Sequence, residues 1–380
     1  MIAYSTPTPT ASNQRPIKVM IIDDSAIIRG LVSRWIGDQA DFEYVGGGIN
    51  GRDGLMRAPK FDPDIIILDI EMPEMDGLTA LPQLLAAVPG VKVIMASTLT
   101  KSGAEVTIKA LTLGAADYIP KPDAGRIAGA EEYKQELFTK LRGLGRKKPN
   151  GRAAAQPARP VLVGAPVPRQ PFADNKPSEL RPLNLRTRIE ALFIGSSTGG
   201  PEALRQVVQG LVGQVKVPIF LTQHMPVLFT KILADHLAKQ CNAKVVEAEH
   251  NMIPVPDQFH LAPGGKHMVV ARTASGVRIH LNDDPPENFC KPAVDPLFRS
   301  AAQVYGDHVL AVVLTGMGHD GREGGRKLVE RGANIIVQDE ASSVVWGMPG
   351  SVAAAGLASA IKPINEIAPS ILKILRGVAP

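Results

Sequence analysis

Short apolar runs, each leading into a stretch of helical periodicity, recur along this chain and constrain its fold more than any other feature. IKVMII, DIIIL and VKVIMA lie in the first part of the chain; ALFIG (Ala191 to Gly195), PIFLTQ (Pro218 to Gln223) and HVLAVVL (His308 to Leu314) lie in the second. A run apolar at nearly every position has no wet face, so it suits a strand covered on both sides in a parallel sheet. Alternation of such strands with helices predicts an α/β fold, and its recurrence predicts two doubly wound parallel-sheet domains. Ligands of open parallel sheets bind outside the carboxyl ends of the strands. The residues just after each run are therefore where chemistry is expected.

At 380 residues the chain is long enough for two such domains, each with its own core. The joint between them shows in composition. Residues 142–188 hold eleven Lys or Arg against two acidic residues, with eight prolines and no apolar periodicity. This segment reads as an extended Pro/Arg-rich linker, which leaves 16–141 and 189–380 as the expected domains. Its balance of +9 exceeds the +5 of the whole chain, so the folded parts are net acidic and nucleic acid is not an expected partner. No apolar stretch approaches the ~20 residues of a membrane helix. The first fifteen residues lack the basic-then-apolar order of a signal peptide. The expectation is a cytoplasmic protein, monomeric and not inserted in a membrane. Cys241 and Cys290 fit no metal or disulfide spacing and are expected to be buried or incidental thiols.

In the first domain five strands alternate with five helices. Asp23 and Asp24 end the first strand and Asp69 ends the third, which gathers three carboxylates at one edge. Such a cluster repels itself unless a divalent cation neutralises it, and an all-oxygen set suits Mg²⁺. Ser97 ends the fourth strand and Lys121 follows the fifth. A single strand-end Asp is usually a turn residue, but five such positions together ask for another reason. DDSA, LDIEMPEMDG, MASTLT and DYIPKP resemble the receiver domain of bacterial response regulators. The resemblance implies that Asp69 accepts a phosphoryl group, that Asp23 and Asp24 help hold Mg²⁺, and that Ser97 and Lys121 contact the phosphoryl oxygens. It makes Tyr118 the aromatic that reorients on activation.

The second domain repeats the architecture, with a β-hairpin inserted: HMVVAR and VRIHL, joined by Thr273 to Gly276. Three residues far apart in sequence follow buried strands: Ser197 in GSSTGG, His224 in TQHMP and Asp320 in GMGHDG. They supply the hydroxyl, imidazole and carboxylate of nucleophilic catalysis, and a hydrolase is the leading reading. Each has a blander alternative. GSSTGG fits a nucleophile elbow, but the order Ser, His, Asp is not that of the α/β-hydrolases. It could also cradle a phosphate in a nucleotide-dependent enzyme or a binding module, or be a tight turn with Ser197 capping the next helix. Asp320 could cap the helix that follows it. Of eight histidines, His319 is the rival to His224 because it adjoins Asp320; His250, His260 and His267 fall in the inserted β region.

GSSTGG, TQHMP, APGGKHM, CKPAVDPLFRSAA and LTGMGHDG together resemble the catalytic domain of chemotaxis protein-glutamate methylesterases, the CheB family. Ser196 stands where that family usually has Ala, and His319 where it has Asn. The resemblance implies Ser197 as nucleophile, His224 as base, Asp320 as its orienter, the Met317 amide as an oxyanion donor and Thr198 lining the site. It implies a methyl ester of glutamate on methyl-accepting chemotaxis receptors as substrate, deamidation of receptor glutamines besides, and a chemotaxis histidine kinase as phosphodonor. No cofactor is implied in the catalytic domain.

Overall fold

The computed structural model describes residues 15–98, 100–121, 127–145 and 179–380. The greater part of the basic linker lies outside them. The chain divides into two compact units, Met1–Ile94 and Met95–Pro380.

The first unit runs β1 (Ile17–Ile22), α1 (Ala26–Gly37), β2 (Phe42–Gly48), α2 (Gly51–Phe61), β3 (Ile65–Asp69) and α3 (Gly77–Ala87). β1 lies parallel to both β2 and β3. Its helices start where side chains satisfy their free amides: Ser25, Asn50 and Asp76 accept from Ile28, Asp53 and Thr79. Gly77 begins α3 against the end of β3, where a Cβ would stand 2.0 Å from the Asp69 carbonyl oxygen. Only glycine lets the helix start so close to that strand end.

β4 (Lys92–Ser97) crosses the division, and α4 (Lys101–Thr112), β5 (Asp117–Pro120) and α5 (Ile127–Gly145) follow. The strand order of this sheet is β2-β1-β3-β4-β5. α4 begins at Lys101 because Thr100 accepts from the Gly103 amide and caps it.

The remainder continues β6 (Ala191–Ser196), α6 (Gly200–Leu211), β7 (Ile219–Gln223), α7 (Phe229–Cys241), β8 (Val245–Glu247), β9 (Phe259–Leu261), β10 (His267–Thr273), β11 (Gly276–Asn282) and α8 (Val294–Tyr305). Then come β12 (Val309–Val313), α9 (Arg322–Glu330), β13 (Asn334–Gln338), α10 (Met348–Ala354), β14 (Ala360–Lys362) and α11 (Ile364–Leu375). Seven of these strands form a parallel sheet in the order β14-β13-β12-β6-β7-β9-β8, while β10 and β11 pair antiparallel by themselves. The fold class is thus α/β with parallel sheets and an added hairpin, as the apolar runs indicate. β6, β7 and β12 are buried at every position, and Phe193 of β6 stacks on Phe220 of β7 with ring centroids 4.7 Å apart.

One reading needs correction, and one strand had no reading. The three-residue strand β14 has no sequence expectation, being too short to show a period. His260 belongs to β9 in the main sheet, not to the inserted hairpin; its ring is fully buried and bonds the Ile219 carbonyl. The topology also fixes a place for chemistry. From β6 the chain proceeds outward through β7, then returns to add β12 on the other side of β6. The reversal leaves a crevice at the carboxyl ends of β6 and β12.

Candidate active site

Ser197 follows β6, His224 follows β7, and Asp320 lies in the loop between β12 and α9, on three neighbouring strands of the sheet. The backbone ties these ends together: the Ser197 amide donates to Thr315 O at 3.0 Å and the His224 amide to Ser196 O at 3.2 Å. Gly316 backs onto Ser197 so closely that a Cβ there would lie 2.8 Å from the serine Cβ.

His224 and Asp320 meet directly. Nε2 of the imidazole donates to Asp320 Oδ2 at 2.7 Å. The buried carboxylate also accepts from the amides of Val294 (2.6 Å), Asp295 (2.9 Å) and Gly321 (3.0 Å), and from Asn288 Nδ2 (3.2 Å). Burial alone would push Asp320 up; the hydrogen bond and charge of His224, with those amides, pull it down to about 2. Burial likewise opposes a charged His224, but the Cys290 sulfur and the Asp320 carboxylate outweigh it and lift the ring to about 10. His319 is exposed.

Asp320 does not cap the helix that follows it. Its carboxylate covers the first amides of α8, whose own N-cap, Ala293, has no side-chain acceptor. Asp295 of α8 returns the favour, accepting from Gly324 in the first turn of α9 at 2.6 Å. Two helices thus exchange caps across the site. Burial and the charge of Asp320 push Asp295 up to about 6.

The GSSTGG turn is packed rather than open. Ser197 makes no cap for α6; the N-cap is Gly199, with φ 76° and no side-chain bond. Gln223 fills the space before the helix. It accepts from Ser196 Oγ at 2.7 Å and donates to Ser197 O at 3.0 Å, and a Cβ on Gly200 would collide with its Oε1 at 1.9 Å. A phosphate cradle needs those amides free. Here a glutamine occupies their approach.

Within the second unit, β5 and α5 also reach these loops. Thr198 Oγ1 donates to Asp117 Oδ2 at 2.6 Å, and Lys140 Nζ holds the other carboxylate oxygen at 3.1 Å. Tyr118 stacks on Phe229 of α7 with centroids 4.9 Å apart; burial, then the charges of Asp117 and Glu136, raise its hydroxyl well above the usual range. Gly143 of α5 lies against the Met317 side chain, where a Cβ would sit 2.3 Å from Cε. Ser97 is buried at the end of β4, accepting from Thr107 Oγ1 at 2.6 Å, and the Lys121 amide donates to Ser97 O at 2.7 Å.

In the first unit, Asp23, Asp24 and Asp69 each bring a carboxylate oxygen within 4.8 Å of the others. Three hard oxygens at that spacing fit a divalent cation such as Mg²⁺. Asn288, Cys290, Asp295, Gln223 and Asp117 were not legible as site residues. Each arrives through tertiary contact, and only the CKPAVDP stretch carried a hint of two of them.

The profile of CheB methylesterases matches residues 192–371, and that of response regulator receiver domains residues 19–130. The chain is 48% identical over 395 residues to the protein-glutamate methylesterase/protein-glutamine glutaminase of Maricaulis maris, covering 97% of this chain and 98% of that one. To the protein of the same name from Nitrobacter hamburgensis it is 47% identical over 372 residues, covering 97% and 96%. Among solved structures, the CheB methylesterase catalytic domain of Thermotoga maritima covers 50% of this chain and 100% of its own, at 35% identity and a TM-score of 0.48. With such identity spread over almost the whole of both chains, this protein belongs to the CheB family of receiver-linked protein-glutamate methylesterases/protein-glutamine glutaminases.

Proposed function

We propose that this chain is a phosphorylation-regulated serine hydrolase that demethylates glutamate methyl esters on methyl-accepting chemotaxis receptors and deamidates receptor glutamines. The observation that carries the reading is the bond from His224 Nε2 to Asp320 Oδ2 at 2.7 Å, set at the strand ends beside the one that bears Ser197. With Nε2 committed to the carboxylate, Nδ1, which has Cys290 Sγ at 3.3 Å, is the nitrogen that takes the proton. Ser197 Oγ attacks the ester carbonyl as its proton passes to His224; the imidazolium that forms lies against Asp320, and it protonates the departing methoxide. Water then attacks the acyl-serine by the same route, and glutamate is released. Ammonia leaves instead when the substrate is glutamine. The Met317 amide is proposed to donate to the oxyanion, a contribution of about 3–4 kcal/mol for one such donor, and Thr198 lines the site.

Residues 16–141 are proposed as the receiver, 142–188 as the linker and 189–380 as the catalytic domain. Asp69 is the proposed phosphoryl acceptor, with Ser97 and Lys121 for the phosphoryl oxygens and Tyr118 as the responding aromatic. Mg²⁺, held by Asp23, Asp24 and Asp69, would offset the charge on the transferred group. The donor is proposed to be a chemotaxis histidine kinase, and the protein to work as a cytoplasmic monomer. Among the described residues no helix is long and apolar enough to cross a membrane. Control is proposed to act by obstruction: β5 and α5 take up Thr198 and Met317, and phosphorylation shifts the population toward an open form.

The test is methanol release from methyl-labelled receptor membranes, with and without Mg²⁺ and a small phosphodonor. Release that depends on Ser197 and rises with phosphodonor is expected. A protein that releases no methanol under either condition would end the esterase reading.

A further inference from the structure

The Nδ1 edge of His224 already has a neighbour. Cys290 Sγ lies 3.3 Å from it, and the residue is partly exposed. The turn that delivers it is strained. Glu287 and Cys290 pair through their backbones, with N···O distances of 3.1 and 2.8 Å. Between them Asn288 and Phe289 both take positive φ, 53° and 64°. Asn tolerates that region, but a bulky residue such as Phe is a genuine outlier there. Burial does not compensate, because the Phe289 side chain is fully exposed. Fastenings to the site hold the turn instead: Glu287 pairs with Arg299 of α8, and Asn288 Nδ2 donates to Asp295 and Asp320 at 3.1 and 3.2 Å. The result is a sulfur held at the Nδ1 edge of the ring.

We propose that Cys290 is a positioning residue for the base: it fixes the Nδ1 edge of His224 and sets the ring's affinity for a proton. The inference rests on the nucleophilic-serine reading above. Donor and acceptor counting gives its basis. The Asp320 carboxylate only accepts, so the neutral ring carries its hydrogen on Nε2 and its lone pair on Nδ1. A thiol can donate to that lone pair; once the ring is charged the bond reverses, and Nδ1–H donates to the sulfur. The second arrangement exists only for the protonated ring and so favours it. The raised proton affinity of His224, to which the Cys290 sulfur and then Asp320 contribute against burial, accords with this pairing. The other charged groups near the site are Asp295 behind Asp320, the Glu287–Arg299 pair behind the Cys290 turn, and the Asp117–Lys140 ion pair beside Thr198. Among the described residues, none of these groups bonds to Nδ1.

The experiment compares the full chain with Cys290→Ala and Cys290→Ser by two readouts. One is the pH dependence of kcat/KM for methanol release; the other is the NMR titration of the His224 imidazole, which needs no activity. In both variants the ring should titrate lower by about one pH unit or more. The acidic limb of the rate profile should move down with it, while KM stays within about threefold. Serine can still donate to Nδ1 but lacks the sulfur, so Cys290→Ser should recover plateau rate relative to Cys290→Ala without restoring the titration. A ring titration unmoved within about 0.3 unit in both variants would overturn the proposal. Methanol release lost at every pH in both variants, with Ser197→Ala still active, would overturn it differently, by making the thiol the nucleophile. If Ser197→Ala stays active while the titration shifts as expected, the serine reading fails and the coupling of Cys290 to His224 stands.

Discussion

In the proposed reaction Ser197 is only as reactive as the imidazole that takes its proton, so the decisive contrasts lie between single side chains. Ser197→Ala should fold and release no measurable methanol; turnover within about tenfold of wild type would remove it as nucleophile. His224→Ala should be nearly as inactive. His319→Ala should keep most activity, because that ring is exposed while His224 bonds Asp320. The opposite ranking in a methanol assay would exchange their roles. Asp320→Asn should lose rate and also stability, about 2–4 kcal/mol in denaturant unfolding, since a buried carboxylate with five donors becomes an amide. Ser197, His224 and Asp320 were legible because each follows an apolar run that can only be a buried strand. Cys290 was not. Its partner lies 66 positions away, and neither metal nor disulfide spacing marks a thiol set against an imidazole.

At the scale of elements, the exchange of caps between α8 and α9 replaces local capping by long-range capping. Asp295→Ala removes the acceptor for Gly324 and should cost about 1–2 kcal/mol, read as a lower midpoint in urea. The His224–Asp320 pair gives this region a pH signature. Asp320 lies below its ordinary 3.8, so its contribution is present above that value and fades as pH falls through about 2. His224 lies above its ordinary 6.5, so its contribution is full below that value and fades as pH rises through about 10. Both contribute fully only between about pH 4 and 6.5. The Tm difference between wild type and Asp320→Asn should be widest in that window and shrink on either side. Helix and strand positions were mostly readable from period and turn residues. The failures were of two kinds: β14 is too short to show a period, and the cap of α8 sits on a residue 26 positions past its first turn.

At the scale of the whole molecule, the alternation of apolar runs gave the α/β class and two sheets, but it could not show what covers the active-site loops. Asp117 and Thr198 pair across a separation of 81 positions that includes the linker. If β5 and α5 chiefly obstruct, Asp69→Asn should keep basal methanol release and lose its response to phosphodonor. Deleting residues 1 to about 185 should give an esterase faster than the unphosphorylated full chain; a folded fragment slower than that chain would rule obstruction out as the main control. The exchanged caps carry one more consequence. A carboxylate that steadies the base also fastens the start of α8, while its neighbour on α8 fastens α9, so wear in one is wear in the others. Heating should produce no long-lived population that keeps its shape but has lost its chemistry: the calorimetric endotherm of this part of the chain and the decay of turnover should trace one curve.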